Sequence, residues 1–307
     1  MRSAAPALLC LPILLLAGAA QAAIFDQGPV QTREFRNPVL AREAAHGTET
    51  ETLFGFTLGS DTDSAGSRAV AIESISSFGR RDGSYAAIGG KLEFSYGLTD
   101  DLSVSLGLLG GWRNIRGVTG YGNIDALRFD GVGTELRWRI LKRGDSPVGL
   151  TLHIEPSWRG QDEASGEAGR GVSSENKLII DRELIPERLY GAVNLIYDIE
   201  TFKPRGGAYE RASTAGIAAA ATYQVAPQVF LGGEMRYLRS YDGIAFRRLQ
   251  GEALFAGPSL FWHFGEASWL SLAWNAQVAG GTTGLSGKLD TDHFARHQVR
   301  VKMGVEF

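Results

Sequence analysis

The residues that could do chemistry are few, and their spacing argues against most of it. His153 and Ser157 lie four apart in "TLHIEPSW". A barrel phospholipase needs a Ser and a His two residues apart on a lipid-facing surface, with an Asn beside them; this pair shares the polar face instead. His263 is followed by Phe264 and Gly265. His297, between Arg296 and Gln298, is expected on the lipid face near mid-strand, with no Ser within two residues. "DTDH" brings Asp290, Asp292 and His293 together on an expected outer loop. An outer-membrane protease would need Asp-x-His, whereas this His follows one Asp directly and lies three from the other. The acids Asp61 and Asp63, and Asp162, Glu163 and Glu167, offer the oxygens that a hard divalent cation takes, but not in the order of a calcium loop. "GGWRNIRGVTGYGNID" is Gly-rich yet opens no helix, so it is no phosphate cradle. No catalytic residue, metal site or cofactor is expected.

What remains is a repeated charge pattern. Lys91 and Glu93 alternate with Leu92 and Phe94. Glu135, Arg137 and Arg139 alternate with Leu136, Trp138 and Ile140. His153, Glu155 and Arg159 oppose Leu152, Ile154 and Trp158. Arg113, Glu234, Arg236, Arg300 and Lys302 fall in the same kind of register. A period of two places each set on one face of a strand. An Arg or Lys facing mid-bilayer would cost up to about 2–4 kcal/mol, so in a membrane barrel these faces point inward. They would then line a narrow polar pore that selects small solutes, or pair with one another inside a sealed barrel. His153 adds a group able to titrate near neutral pH.

The elements that must position these residues are short strands in hairpins. From Arg68 onward, alternating runs are separated by turns such as "RRDGS", where Asp82-Gly83 is a tight-turn pair. About twelve strands result, with roughly ten to fourteen possible. "LTDD", "RGDSP", "IPER", "VAPQ" and "GEAS" are short and alternate with longer connections. The longest polar loop is expected at "QDEASGEAGRGVSSEN", and a phase slip near Gly131–Gly133 reads as a bulge. The closing strand should run from about His293 to Phe307. If it ends in the periplasm, every short turn falls on the periplasmic side, as in bacterial barrels. "TLFGFTLGS" then cannot be a regular strand without breaking parity; it tucks into the lumen or lies at the periplasmic rim. A soluble sandwich also alternates, but buries its apolar face. Aromatic residues at strand ends (Tyr96, Trp112, Trp158, Tyr223, Trp262) suit the interfacial girdles of a membrane barrel.

The start of the chain supplies the address. Met1-Arg2, an apolar stretch and Ala20-Gln21-Ala22 form a secretory signal cleaved after Ala22. Leu9 before Cys10 does not suit a lipoprotein signal. Cleavage removes the only cysteine and one of the 31 basic residues, leaving 34 acidic ones. That rules out disulfides and gives no basic face for nucleic acid. No stretch of the exported chain approaches the roughly 18 apolar residues of a spanning helix.

"VRVKMGVEF" resembles the closing strand of bacterial outer-membrane barrels, in which a terminal Phe is an assembly signal; Phe307 would serve as one. "YGLTDDLSVSLGL", "FDGVGTELRWRIL" and "LFGFTLGSDT" resemble a loosely characterised family of outer-membrane barrels labelled as transporters or linked to aromatic-degradation pathways. The resemblance covers most of the chain after the signal. Its motifs are turns and strands, so it implies fold and no site residues. The expectation is an all-β transmembrane up-and-down barrel over residues 68–307, preceded by a signal peptide (1–22) and a periplasmic or lumen-inserted segment (23–67). The functional expectation is an outer-membrane channel for small polar or charged solutes, a structural, adhesion or assembly barrel being the alternative. Its expected partners are outer-membrane lipid, lipopolysaccharide and the barrel-assembly machinery.

Overall fold

Alternation becomes a closed sheet in the computed structural model, which describes residues 48–265 and 267–307. The signal peptide and its cleavage site lie outside the described residues. Twelve strands follow one another: β1 (Arg68–Phe78), β2 (Ser84–Thr99), β3 (Leu102–Arg116), β4 (Ile124–Leu141), β5 (Gly149–Gln161), β6 (Ala168–Ile185), β7 (Leu189–Pro204), β8 (Glu210–Ala226), β9 (Val229–Asp242), β10 (Arg248–His263), β11 (Ser268–Thr282) and β12 (His297–Glu306). Each pairs antiparallel with the next, and β1 pairs with β12 from Ala69↔Glu306 to Phe78↔His297. Past that ladder the Phe307 amide donates to the Arg68 carbonyl at 2.9 Å, and the Arg68 amide to the Phe307 carbonyl at 3.2 Å. Closure leaves no edge strand, which is what a sheet needs where no water can satisfy its backbone.

The two faces are inverted relative to a soluble protein. On β4, Leu136, Trp138 and Ile140 are exposed, while Glu135, Arg137 and Arg139 are buried. Leu106, Leu108, Phe129, Met235 and Trp274 continue the outward apolar surface around the barrel. The aromatic residues at strand ends face outward with them, Trp158 being 51% exposed and Trp262 42%. A face that is apolar where exposed and charged where buried belongs in lipid.

Three of the connections at one rim are short, residues 100–101, 186–188 and 227–228, whereas 142–148 at the same rim is longer than most of those at the other. Three features differ from the sequence reading. The polar run 161–176 is mostly strand, because β6 begins at Ala168 and takes its hydrogen bonds from β5 and β7. Its Gly and Ser content resembles a loop, but neighbouring backbones supply what local propensity lacks. The longest loop is instead 283–296, since the closing strand starts at His297; within this loop Phe294 and Ala295 fold inward. For the same reason His297 lies at the end of β12, stacked on Trp274, and not at mid-strand. The bulge falls one residue before Gly131: Leu109 pairs with Gly131 and Gly110 with Phe129, leaving Asp130 as the extra residue. Gly131 has φ +151°, and a Cβ there would lie 1.9 Å from the Trp158 carbonyl oxygen. The extra residue turns Asp130 inward, where it meets Arg113 in two hydrogen bonds of 3.2 and 2.9 Å.

Candidate functional site

Residues 48–63 run inside the barrel and close it toward the rim where β1 begins, and Ala65 and Gly66 are exposed there. Leu53 and Phe54 are fully buried, packed with Ala71, Tyr190, Ala192, Phe230, Phe261 and Trp269 near the strand ends at that rim. A polar wall grips the rest. Glu234 of β9 accepts from the amides of Phe56 and Thr57 at 3.1 and 2.8 Å, and from the Thr57 hydroxyl at 3.0 Å. Asn194 of β7 pairs with both backbone groups of Leu58, at 2.7 and 2.8 Å. Asp181 of β6 accepts from the amide and hydroxyl of Ser60. Arg300 of β12 donates to the Gly55 carbonyl, and Arg137 of β4 to those of Gly59 and Asp61. The guanidinium of Arg236 lies 3.9 Å from the Phe56 ring centroid. The segment has no strand of its own, so its orphan backbone groups are satisfied by side chains from around the barrel.

A latch fastens this plug at the rim. Arg143, in the β4–β5 turn, donates to Asp61 at 2.8 Å and to Asp181 and the Thr50 hydroxyl at 2.9 Å. Burial works against the charge on Asp61. Arg143, the Thr50 amide and Arg139 nonetheless hold its carboxyl below the usual carboxylate range.

Between the plug and the opposite mouth lies a cavity of about 500 Å³, floored by Glu51, Phe56 and Leu58. Its wall is an ion-pair belt. Lys91 sits 2.5 Å from Glu93, 2.9 Å from Glu155, 3.7 Å from Glu135 and 3.9 Å from Glu73. Lys302 reaches Glu93 at 2.9 Å, and Arg300 reaches Glu73 at 2.8 Å. Lys177 pairs with Glu175. At the mouth the 283–296 loop turns inward on Phe294, which packs against Phe255, Leu238 and Ala253. Asp290, fully buried, accepts from the amides of Asp292 and His293, the Thr282 hydroxyl and the His293 ring. Burial again opposes its charge, but these donors keep the carboxyl low. The "DTDH" run therefore acts as a staple for its loop.

Each residue expected to line the lumen faces the interior. Lys91, Arg113, Glu135, Arg137, His153, Glu155, Arg159, Arg236, Arg300 and Lys302 border the cavity. Glu93, Arg139 and Glu234 do not; Glu93 lies behind two lysines, Arg139 binds Asp101 and the Asp100 carbonyl, and Glu234 holds the plug. Phe307 is 70% exposed on the outer surface. His153 and Ser157 are both buried and inward, with Ser157 bonded to Ser173 at 2.7 Å. Several participants escape sequence reasoning: Glu73, Asp130, Glu175, Lys177, Asp181 and Asn194. Glu73 was available from the alternation of "AVAIESI". Asp130 was hidden by the bulge that inverts its phase, and Glu175 by the loop-like composition around it; Lys177, just past that run, was available from the alternation of "KLIIDREL".

A sealed-bottomed, twelve-stranded antiparallel barrel, apolar outside and charged within, is the architecture of outer-membrane barrels. The chain belongs to DUF6662, a family of unknown function, whose model matches residues 46–307. Comparison with curated proteins finds no match. Among solved structures, the COG4313 outer membrane channel from Pseudomonas putida F1 is 14% identical, with a TM-score of 0.53 over 81% of this chain and 98% of that one. The NanC porin is 10% identical, with a TM-score of 0.46 over 77% and 98% of the two chains. The translocator domain of the autotransporter NalP from Neisseria meningitidis is 13% identical, with a TM-score of 0.44 over 81% and 91%. At 14% identity the likeness to the first of these is one of fold.

Proposed function

We propose that the protein is an outer-membrane channel for small polar or charged solutes, held shut on the periplasmic side by residues 48–60. The observation that carries this reading is the cavity of about 500 Å³, walled by charges of both signs and floored by a segment that side chains hold in place. A twelve-stranded barrel is wider than one its own side chains can fill, so an inserted segment closes what would otherwise be a path. The solute would meet alternating carboxylates and cations, which suits small zwitterions or ions better than apolar molecules. The barrel is exported by its amino-terminal signal, placed in lipid with lipopolysaccharide around it, and inserted by the assembly machinery through its closing strand. It performs no catalysis.

A non-conducting structural barrel is the second reading, favoured by the mutual pairing of the belt around Lys91. Planar-bilayer recording of the assembled, purified chain separates them. Wild-type protein should give a small, salt-dependent conductance, and Arg137→Ala should enlarge it, because Arg137 holds the Gly59 and Asp61 carbonyls of the plug. Silence from both proteins, with a large loss of thermal stability in the variant, would establish the structural barrel instead.

A further inference from the structure

We propose that His153, with Glu135 and Glu155, forms a site for one divalent first-row transition-metal ion in the cavity wall. His153 is 1% exposed and borders the cavity, yet neither ring nitrogen has a hydrogen-bond partner. A buried imidazole left in that state is costly unless something engages it. Its surroundings are acidic. Nδ1 lies 3.6 Å from a Glu135 oxygen, and Nε2 lies 3.7 Å from Glu155 and 3.8 Å from Glu175. One ring nitrogen and one oxygen from each of Glu135 and Glu155 fall within 4.8 Å of one another.

These separations are too long for hydrogen bonds, and they engage opposite ring nitrogens, of which one ion takes only one. Metal bonds of about 2.0–2.2 Å place tetrahedral ligand atoms roughly 3.3–3.6 Å apart. The atoms of this set now lie within 4.8 Å of one another, so the ring or a carboxylate must turn to bring both oxygens to the same nitrogen. The strands fix it: His153 and Glu155 project from the same face of β5, and Glu135 comes from the neighbouring β4. Glu175, on β6 opposite Glu155, would add a further oxygen ligand on giving up its pairing with Lys177. One imidazole and two or three carboxylates favour zinc, manganese, iron or cobalt over calcium or magnesium, which prefer oxygen alone. Lys91 now neutralises Glu155 and approaches Glu135; it has Glu93 and Glu73 to retreat to when an ion takes its place.

The inference does not require the channel reading. Full-length protein, assembled in detergent as judged by heat-modifiable migration and stripped with chelator, is titrated calorimetrically with zinc chloride. One ion per chain should bind. His153→Ala and Glu135→Gln should weaken binding at least tenfold, whereas His293→Ala, beside the acids of the outer loop, should leave it unchanged. No stoichiometric binding, or binding lost in the His293 variant and kept in the His153 variant, overturns the proposal. Should the His153 variant fail to assemble, X-ray absorption on zinc-loaded wild type decides. A shell of light atoms including one imidazole supports the site, and a shell without imidazole refutes it. Zinc binding by a non-conducting barrel would remove the channel and keep the site; conduction without zinc binding would do the reverse.

Discussion

Replacing Glu234 by Ala removes the carboxylate that holds the tip of the plug. Glu234 is 3% exposed and accepts four hydrogen bonds: from the Phe56 amide, the Thr57 amide and hydroxyl, and the Asn275 side-chain amide, the last at 2.8 Å. Truncation strands the two backbone amides. A buried donor without a partner costs about 1–3 kcal/mol, so the pair costs about 2–6 kcal/mol. A value in the lower half of that range gives about 3 kcal/mol on seating of the plug. That shifts the balance between seated and displaced segment by roughly two orders of magnitude. Glu234→Gln keeps one acceptor oxygen and should lie between. The assay is paired: open probability in planar bilayers, and limited proteolysis at residues 48–60 in assembled protein. The variant should open far more often and be cut faster, with its barrel still heat-modifiable. An assembled variant with wild-type conductance and wild-type protection would refute the idea that this carboxylate seats the plug.

Acid should release the latch. The carboxyl of Asp61 titrates below its unfolded value of about 3.8, so its contribution is complete above that pH and is lost as pH falls through the lower folded value. Protease sensitivity of residues 48–60 should therefore rise below about pH 4; Arg143→Ala should abolish the step. Gly131→Ala should reduce thermal stability by at least about 1–3 kcal/mol from backbone strain alone, since φ +151° and the nearby Trp158 carbonyl leave no room for a Cβ; an unchanged melting temperature would contradict the bulge. Asp130→Ala should cost about 3 kcal/mol by leaving Arg113 buried without its carboxylate, and a double-mutant cycle with Arg113→Ala should recover much of it. Deleting Phe307 should lower the yield of assembled barrel more than synthesis, as quantitative blots of membrane fractions would reveal.

The barrel was legible because one physical rule governs nearly every strand. Lipid outside and charge inside force a period of two, and "TELRWRI" or "TLHIEPSW" obeys it without exception. Legibility fails where the rule is broken or its cause is distant. Asp130 is displaced by a bulge whose partner lies on another strand. Residues 168–176 are strand because β5 and β7 flank them, which no local window reveals. The plug is harder still. "TLFGFTLGS" has too many apolar residues for a solvated lead and no partner strand, so parity excludes it from the wall, but its seat depends on Glu234, Asn194 and Asp181 on three separate strands. The acids around His153 were readable as a polar face; their convergence is a matter of register between β4 and β5, which sequence alone leaves open.

The plug also constrains the order in which the molecule can be built. Residues 48–60 precede β1 in the chain, yet their grips lie on β4, β6, β7, β9 and β12. The part made first is thus seated last, and must remain unfilled until the far wall exists. Contacts that join such distant parts of the chain form late, because long loops must close before any reward is gained. Once in place, the segment spans the cross-section as a strut tied to the wall on several sides. A thin cylinder flattens easily under uneven side pressure from the bilayer; an internal brace fixed to opposing walls resists that ovalisation. Displacing the plug would then soften the whole barrel as well as opening it, so passage and stiffness become two readings of one mechanical state.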